Sequence, residues 1–439
     1  MKGNFKTLLR RFCLEGSVLG LKYFYLYPDP VSRCFWGITL LLCGMGACLL
    51  TLLLHRRFME TPTHITIENQ FEPIYNLPYP AITLCSPNQI TASAVEHFKQ
   101  TLVVSVMSLL AQNCNTFLKR CFFQNKLYPC EELFEPVLTK LGVCCAFNSI
   151  YKFVNNKRNE KKPNFIKHKS KINRLKHGLT VIVDYDPYNA VDGTVQHAGA
   201  TRIVFTDWSE FPLEVESVLA HPGIEAFLLI SATYTYCSEE VATLPIDSRK
   251  CVFEDEVILP HFWKYHHTDC ELNCLVSKVE SECHCVVFYV PNVSPHQVCN
   301  FTKIPCITDV KYQMTEESSA SWCGCQRDCV SRRYSVEHFN GNLQAVQHVR
   351  LDDRYSGVVL NESTTVMHFF FPKTSFVRQK QETVMSLTNF VSNLGGVFGL
   401  CLGCSFISLF EICFYIYTAI KNHIRRRTTR RRRRIGYYN

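Results

Sequence analysis

The sequence predicts a membrane protein in which two spanning helices flank a large extracellular α+β domain held by disulfides. Three observations predict it: long apolar stretches near both ends of the chain, 24 cysteines gathered mostly between them, and a basic charge confined to the tails. Of the cysteines, 4 lie in 13–48, 17 in 85–329 and 3 in 401–413. A reducing compartment does not favour thiols at that density. Charged residues make up 19% of the chain and apolar residues 47%, which excludes a disordered polymer. Residues 1–33 carry a net +4, residues 421–439 a net +9 and the whole chain +9, so the middle is net negative. A nucleic-acid-binding protein would instead place its basic patch on the folded domain.

Residues 1–33 read as a cytoplasmic segment, followed by a first span at 34–54, 21 residues without a formal charge. A helix of that length reaches about 31 Å, enough to cross the hydrocarbon core. Trp36 at its start suits the membrane interface. A signal peptide would be shorter, would begin nearer the first residue and would end in a small-residue cleavage site. The second span is expected at 397–420, with one acid, Glu411, preceded by a pre-pore segment from 387. It stops at KNHIRRRTTRRRRR, and arginine clusters stay on the cytoplasmic side. Both termini are therefore expected in the cytoplasm, with 55–386 outside and 421–439 as a polybasic tail. Arg56 and Arg57 on the outer side run against this but are outnumbered. The sequons at Asn292, Asn300 and Asn361 all fall in the middle segment, where glycosylation is accessible.

Inside that segment, β-rich runs occur at 81–84, 179–184, 203–205, 227–231, 286–290 and 366–371, and helical patterning at 91–112 and 308–317. The stretch 151–177 holds ten Lys/Arg and one acid, and reads as a solvated loop or an exposed protease site. Cysteines crowd 270–329 as C-x3-C, C-x-C and C-x-C-x3-C. Structural zinc is the competitor, but outside the cell disulfides are the better reading, and no structural metal is expected. No G-x-S-x-G elbow, H-E-x-x-H helix or dinucleotide loop is present, so neither an enzyme nor a cofactor is expected.

The second span carries the informative spacing. Gly395, Gly399 and Gly403 recur every four residues and would form one smooth helical stripe. Such a stripe packs helices closely, or permits a break that exposes backbone carbonyls beside a wet path. Ser405, Ser408 and Glu411 follow at i, i+3, i+6. A membrane-embedded acid costs about 2.5 kcal/mol or more unless it meets water or a partner. One such helix per chain makes a conduction path only if several chains surround an axis, and rings of carbonyls, hydroxyls and carboxylates favour cations.

These motifs resemble the degenerin/epithelial sodium channel family, most closely its insect pickpocket branch. Ser17-Val18-Leu19-Gly20-Leu21-Lys22-Tyr23 resembles the S-x-H-G-L-K-Y gating motif, with Leu19 in place of the family histidine. Leu77–Cys85 resembles F-P-A-V-T-x-C, Gly142–Asn148 resembles G-x-C-Y-x-F-N, and Gly178-Leu179-Thr180 resembles the strand opening that follows. Gly395–Glu411 carries the pattern G-G-x-x-G-L-x-x-G-x-S-x-x-S-x-x-E.

The resemblance implies a homo- or heterotrimer of hand-like subunits (palm, finger, thumb) in the plasma membrane, passing sodium and blocked by amiloride-like drugs. It implies a selectivity filter at Gly403-Cys404-Ser405 and a gate-lining helix bearing Ser392, Asn393, Gly395, Gly396 and Gly399. In this family enlargement of the residue at Ser392 holds channels open, and acid-sensing members carry Asp where Asn393 stands. It also implies the disulfides Cys85–Cys144, Cys121–Cys130, Cys251–Cys329, Cys270–Cys325, Cys274–Cys323, Cys283–Cys306 and Cys285–Cys299. Cys114, Cys145 and Cys237 are then left without partners, and an odd remainder implies a free thiol or an intersubunit bond. The arginine run is a candidate contact for anionic lipid. A purinergic-receptor-like trimer and a non-conducting adhesion or receptor protein share the two-span outline. Sodium current separates an adhesion protein from a channel.

Overall fold

The computed structural model describes residues 10–16, 20–27, 29–60, 63–97, 110–151, 177–213, 216–294, 297–316, 323–348, 355 and 358–435. The chain divides into two units, one built from both ends (1–64 and 382–439) and one from 65–381.

The larger unit is α+β. Its main sheet has eight strands, and we number all strands in chain order: β1 (Thr63–Pro73), β2 (Ala81–Cys85), β3 (Leu118–Phe123), β4 (Lys126–Tyr128), β5 (Phe134–Thr139), β6 (Gly142–Phe147), β7 (Leu179–Asp184), β8 (Thr201–Thr206), β9 (Ser217–Ala220), β10 (Ile224–Cys237), β11 (Cys251–Val252), β12 (Arg327–Asp328), β13 (Ser331–Asn342), β14 (Thr364–Phe370) and β15 (Ser375–Thr383). The main sheet runs β1-β15-β10-β14-β7-β3-β4, with β13 also on β10. A second sheet runs β5-β6-β2-β8-β9, and β11 pairs with β12. β10 is the spine. It pairs antiparallel with β13 from Ile224↔Asn342 to Thr235↔Ser331 and parallel with both β14 and β15. β14 and β15 therefore run on in one line along β10, interrupted at 371–374, where Pro372 has no N–H for a ladder bond.

Two apolar cores result. The first holds Leu84, Phe147, Ile203 and Phe205 of the smaller sheet together with Leu179, Val181, Leu228, Ile230 and Phe369 of the larger. Buried Tyr79 meets Phe123, Phe147 and Phe371 edge-on and gives its hydroxyl proton to the Phe369 carbonyl at 2.9 Å, so its polar tip is satisfied. The second core packs the helices His267–Cys283 and Ile304–Glu316 against Tyr151, Trp208, Phe211 and the irregular stretch 286–290.

Eight disulfides staple this unit. Seven join the cysteines that the resemblance pairs. The eighth, Cys114–Cys145, joins two of the cysteines that had no implied partner, and Cys237 stays unpaired. Cys144 and Cys145 are neighbours on β6, so their side chains leave opposite faces of the strand. Cys144 meets Cys85 in the second core and Cys145 meets Cys114 in the first.

Three expectations are corrected. Residues 286–290 form no strand. Their valines and Tyr289 are buried, but the disulfides Cys283–Cys306 and Cys285–Cys299 clamp the segment just after a helix end and leave only a bridge from Val286 to Val298. The helix expected at 91–112 is formed over Ala92–His97, and the chain is not helical at 111–113; residues 98–109 lie outside the described ones. The second apolar stretch is not one helix. The basic run at 152–176 also lies outside the described residues.

The unit built from the chain ends is helical. We label its helices α1 (Leu21–Leu26), α2 (Pro30–Glu60), α3 (Leu387–Leu402) and α4 (Phe406–Ile435). Helix α2 is long and apolar enough to cross a membrane, and its single fully buried residue is Ala47. A helix this long, apolar and little covered by its own chain suits lipid better than water. Phe58 of α2 stacks on Phe390 of α3 at 4.8 Å, and Tyr23 of α1 stacks on Trp36 at 4.6 Å.

Candidate functional site

The site is the interruption between α3 and α4. Ser386 caps α3, its hydroxyl accepting from the Asn389 N–H at 3.2 Å. Ser392, Asn393, Gly395, Gly396 and Gly399 all lie on α3 and are exposed within the single chain. A methyl group added to Gly395 or Gly396 would meet nothing within 4 Å. Among the described residues nothing covers Gly395 or Gly396, whereas a methyl group on Gly399 would touch the Cys404 carbonyl oxygen at 3.6 Å.

Helix α3 ends at Gly403, whose backbone adopts φ 63°, ψ 21°, the left-handed conformation. Its N–H bonds back to the Gly399 carbonyl at 3.0 Å, and the Cys404 N–H reaches the Phe398 carbonyl at 3.2 Å. A left-handed C-terminal cap is easy for glycine and strained for any residue with a Cβ. The chain restarts as a helix at Phe406. The Ser408 N–H bonds to the Ser405 carbonyl at 3.0 Å, and the Ser408 hydroxyl accepts from the Ser405 N–H at 3.0 Å, half of a capping box with serine in the role usually taken by Glu or Gln. The two helices meet at a bend of 75°. The expected span at 397–420 is therefore broken at 403–405, because Gly403 turns the chain and the two serines cap a new helix. Helix ends release carbonyls and N–H groups from intrahelical bonding, and within an apolar stretch these need water, an ion or protein.

The break gathers Gly403, Cys404 and Ser405 in the connecting turn, with Ser408 and Glu411 on the first turns of α4. The Ser405 and Ser408 hydroxyls are 3.4 Å apart, and Cys404 is half-buried and unpaired.

At the other end, Gly20 has φ 94°, and a Cβ there would lie 2.7 Å from Leu40 Cδ2 of α2. The backbone angle favours glycine, and a Cβ would also require the Leu40 side chain to move. Leu19 lies outside the described residues. Phe12 packs edge-on against Tyr415 of α4 at 5.2 Å, and the Tyr415 hydroxyl reaches Glu15 at 3.3 Å, so the segment before α1 lies against the second apolar helix. Asn292, Asn300 and Asn361 are all exposed. The Asn300 side-chain oxygen accepts from the Thr302 hydroxyl of its own sequon at 2.6 Å.

Sequence reading missed a buried polar centre beside the second core. Asp207 accepts from Arg332 at 2.9 Å and from Ser209 at 3.2 Å, and Ser209 also meets His266 at 3.1 Å. Glu210 accepts from Thr268 at 2.5 Å. Asp269 accepts from the Phe211 N–H at 3.3 Å, while its second oxygen has no hydrogen-bond partner among the described residues. Full burial, reinforced by the nearby Glu210 charge, pushes its carboxyl well above the usual range. Burial also lifts Asp328 to about 6, against the pull of His266. Its members come from two short segments, 207–210 and 266–269, that carry no motif in the sequence. A cavity of about 440 Å³ opens nearby, lined by Glu72, Tyr234, Arg332 and Arg378 among others, with Arg378 paired to Glu68 at 3.0 Å.

Compared with known proteins, the chain matches the family model described as "Amiloride-sensitive sodium channel" over residues 12–108 and 98–415. It is similar to sodium channel protein Nach of Drosophila melanogaster, 24% identical across 94% of this chain and 87% of that one. Pickpocket protein 28 of the same organism is 23% identical, covering 96% and 80%. Human acid-sensing ion channel 2 is 21% identical, covering 94% and 86%.

Proposed function

The chain belongs to the amiloride-sensitive sodium channel family, and from that premise we propose that it is a pore-forming subunit of a sodium-selective, amiloride-blocked cation channel. The observation that carries this reading is the break at Gly403-Cys404-Ser405 inside an otherwise apolar helical stretch. An interrupted helix facing lipid would leave its freed backbone groups unsatisfied, so the break belongs on a wet path. One chain presents the glycine face of α3 and the turn at 403–405 without covering them. Three chains around an axis, identical or related, close that face into a conduit in which Ser405 and the turn carbonyls replace part of the hydration shell of sodium. Glu411 adds a ring of negative charge toward the inner mouth.

In this reading α2 and the α3–α4 pair are the two membrane crossings of a plasma-membrane protein, and both termini are cytoplasmic. The unit 65–381 is then an extracellular, hand-like domain of palm, finger and thumb. The arginines at the end of α4 lie against the inner leaflet, where each contributes about 1 kcal/mol of attraction to anionic lipid. β15 leads directly into α3, so displacement of the spine strand pair β10–β15 acts on the gate through one covalent connection.

Whole-cell recording of the chain expressed alone tests the proposal. Ser392→Phe is expected to raise a resting inward current that amiloride blocks and that vanishes when external sodium is replaced by a large organic cation. A well-expressed Ser392→Phe protein that carries no sodium current contradicts it.

A further inference from the structure

One reactive group in the disulfide-stapled unit is not used by the proposed pore. Cys237 closes β10, opposite Gln381 of β15. It is the one cysteine of 85–329 outside a disulfide. Its sulfur lies 3.7 Å from Cys251 Sγ, and that atom is already bonded to Cys329. The three sulfurs lie within 4.8 Å of one another. The thiol is held there by the Cys329 carbonyl at 3.3 Å and the Gln381 side-chain oxygen at 3.5 Å. A lone half-buried thiol needs no explanation, but one stationed beside a disulfide has exchange available to it once its side chain turns from the flank of the Cys251–Cys329 bond into line with that bond.

We propose that Cys237, Cys251 and Cys329 form an internal thiol–disulfide exchange site with two alternative bonds. The Cys237 thiolate attacks Cys251 Sγ. A Cys237–Cys251 bond forms as the Cys251–Cys329 bond breaks, and Cys329 leaves as a thiolate that takes up a proton. The step is an isomerisation in which one disulfide and one thiol stand on each side, so no external oxidant or reductant is consumed. Its structural effect is specific. In the resting bond β11 is tied to the residue that follows β12; in the exchanged bond β11 is tied to the end of the spine strand, and Cys329, two residues before β13, is released.

The surroundings set the rate. Burial lifts the Cys237 thiol to about 11, while the positive charges of Arg249 and Arg327 act to lower it. Arg249 is itself held by Glu256, and Gln381, which completes the pocket, is neutral. At pH 7.4 roughly one molecule in several thousand carries the thiolate, so exchange is slow at rest and gains tenfold per pH unit.

The test is a disulfide map of the full chain, purified in detergent without reductant. Samples are held at pH 7 or pH 9, quenched in acid, unfolded, tagged at free thiols and digested without reduction. The expected map shows the tag shared between Cys237 and Cys329, with Cys329 acquiring it about a hundredfold faster at pH 9 than at pH 7. A tag confined to Cys237 at both pH values overturns the proposal. A second measurement uses Cys329→Ala, folded through the disulfide-forming oxidants of the secretory pathway. Cys237 and Cys251 are expected joined, with neither tagged, whereas two tagged thiols overturn it. The wild-type map decides the matter even if that variant fails to fold.

Discussion

Asp269 sits in the first turn of a helix, where a carboxylate is ordinarily favoured, yet burial decides its state. A carboxyl whose folded pKa is raised keeps its proton after the unfolded chain has lost it, so the folded state loses stability as pH climbs from about 4 toward the raised value. Asp328 does the same but finishes near pH 6. Asp269 contributes a slope of the same sign, at most about 1.4 kcal/mol per pH unit. Asp269→Asn is expected to raise the melting temperature at neutral pH and to flatten its decline as pH rises above the ordinary carboxylate range. Parallel profiles for the two proteins would show that the buried carboxyl does not titrate in this way. Neither residue could be picked out from sequence, because an acid beside histidines and threonine reads as solvated surface until the fold closes over it. Gly20 and Gly403 could be singled out from the motifs that the chain resembles, and both hold a positive φ.

Among elements, those with one dominant period were readable. The run 179–184 matches β7, and the uncharged stretch at 34–54 lies inside α2. The helix His267–Cys283 was overlooked, although its cysteines at 270 and 274 share a helical face and bond to 325 and 323. Cysteine spacing drew attention away from helical spacing. β13 and β15 were missed because strands such as SRRYSVEH and SFVRQKQE carry charge on their outer positions and few β-branched residues. The α3–α4 interruption gives an element-scale prediction. Gly403→Ala must hold a Cβ at φ 63°, at a cost of about 1–2 kcal/mol, and should straighten or shift the turn. In a Ser392→Phe background it is expected to lower the sodium-to-potassium permeability ratio or abolish current at normal surface density. An unchanged ratio and current would place selectivity elsewhere. The clamp on both faces of β6 gives another. Replacing Cys114 and Cys145 together by alanine opens a loop of 31-residue separation and should cost about 3–4 kcal/mol, read as a lower melting temperature with the Cys85–Cys144 bond intact. An unchanged melting temperature would make the eighth disulfide dispensable.

For the whole molecule, two separate structural problems meet in one chain. The unit 65–381 solves its own, with two apolar cores, a continuous spine strand and eight disulfides. The unit built from the chain ends does not. Its helices expose Leu41, Leu49, Leu52, Leu400, Phe406 and Ile407, and Gly395 and Gly396 stand open, the surfaces that lipid and further subunits cover in the proposed assembly. That incompleteness was foreseeable from two apolar stretches and a glycine period. The glycines only permitted a break; its location at 403–405 and the handedness of its turn became visible with coordinates. The central claim is that Cys404, in that turn, borders a water-filled path shared by neighbouring subunits. The measurement that tests it most directly is cadmium applied to the sodium current of Ser392→Phe channels with and without Cys404→Ala, since a ring of thiols binds a soft cation that alanine cannot. The account predicts block at micromolar cadmium that is relieved at least tenfold in the Cys404→Ala channel; equal block of the two, or none in either, would contradict it.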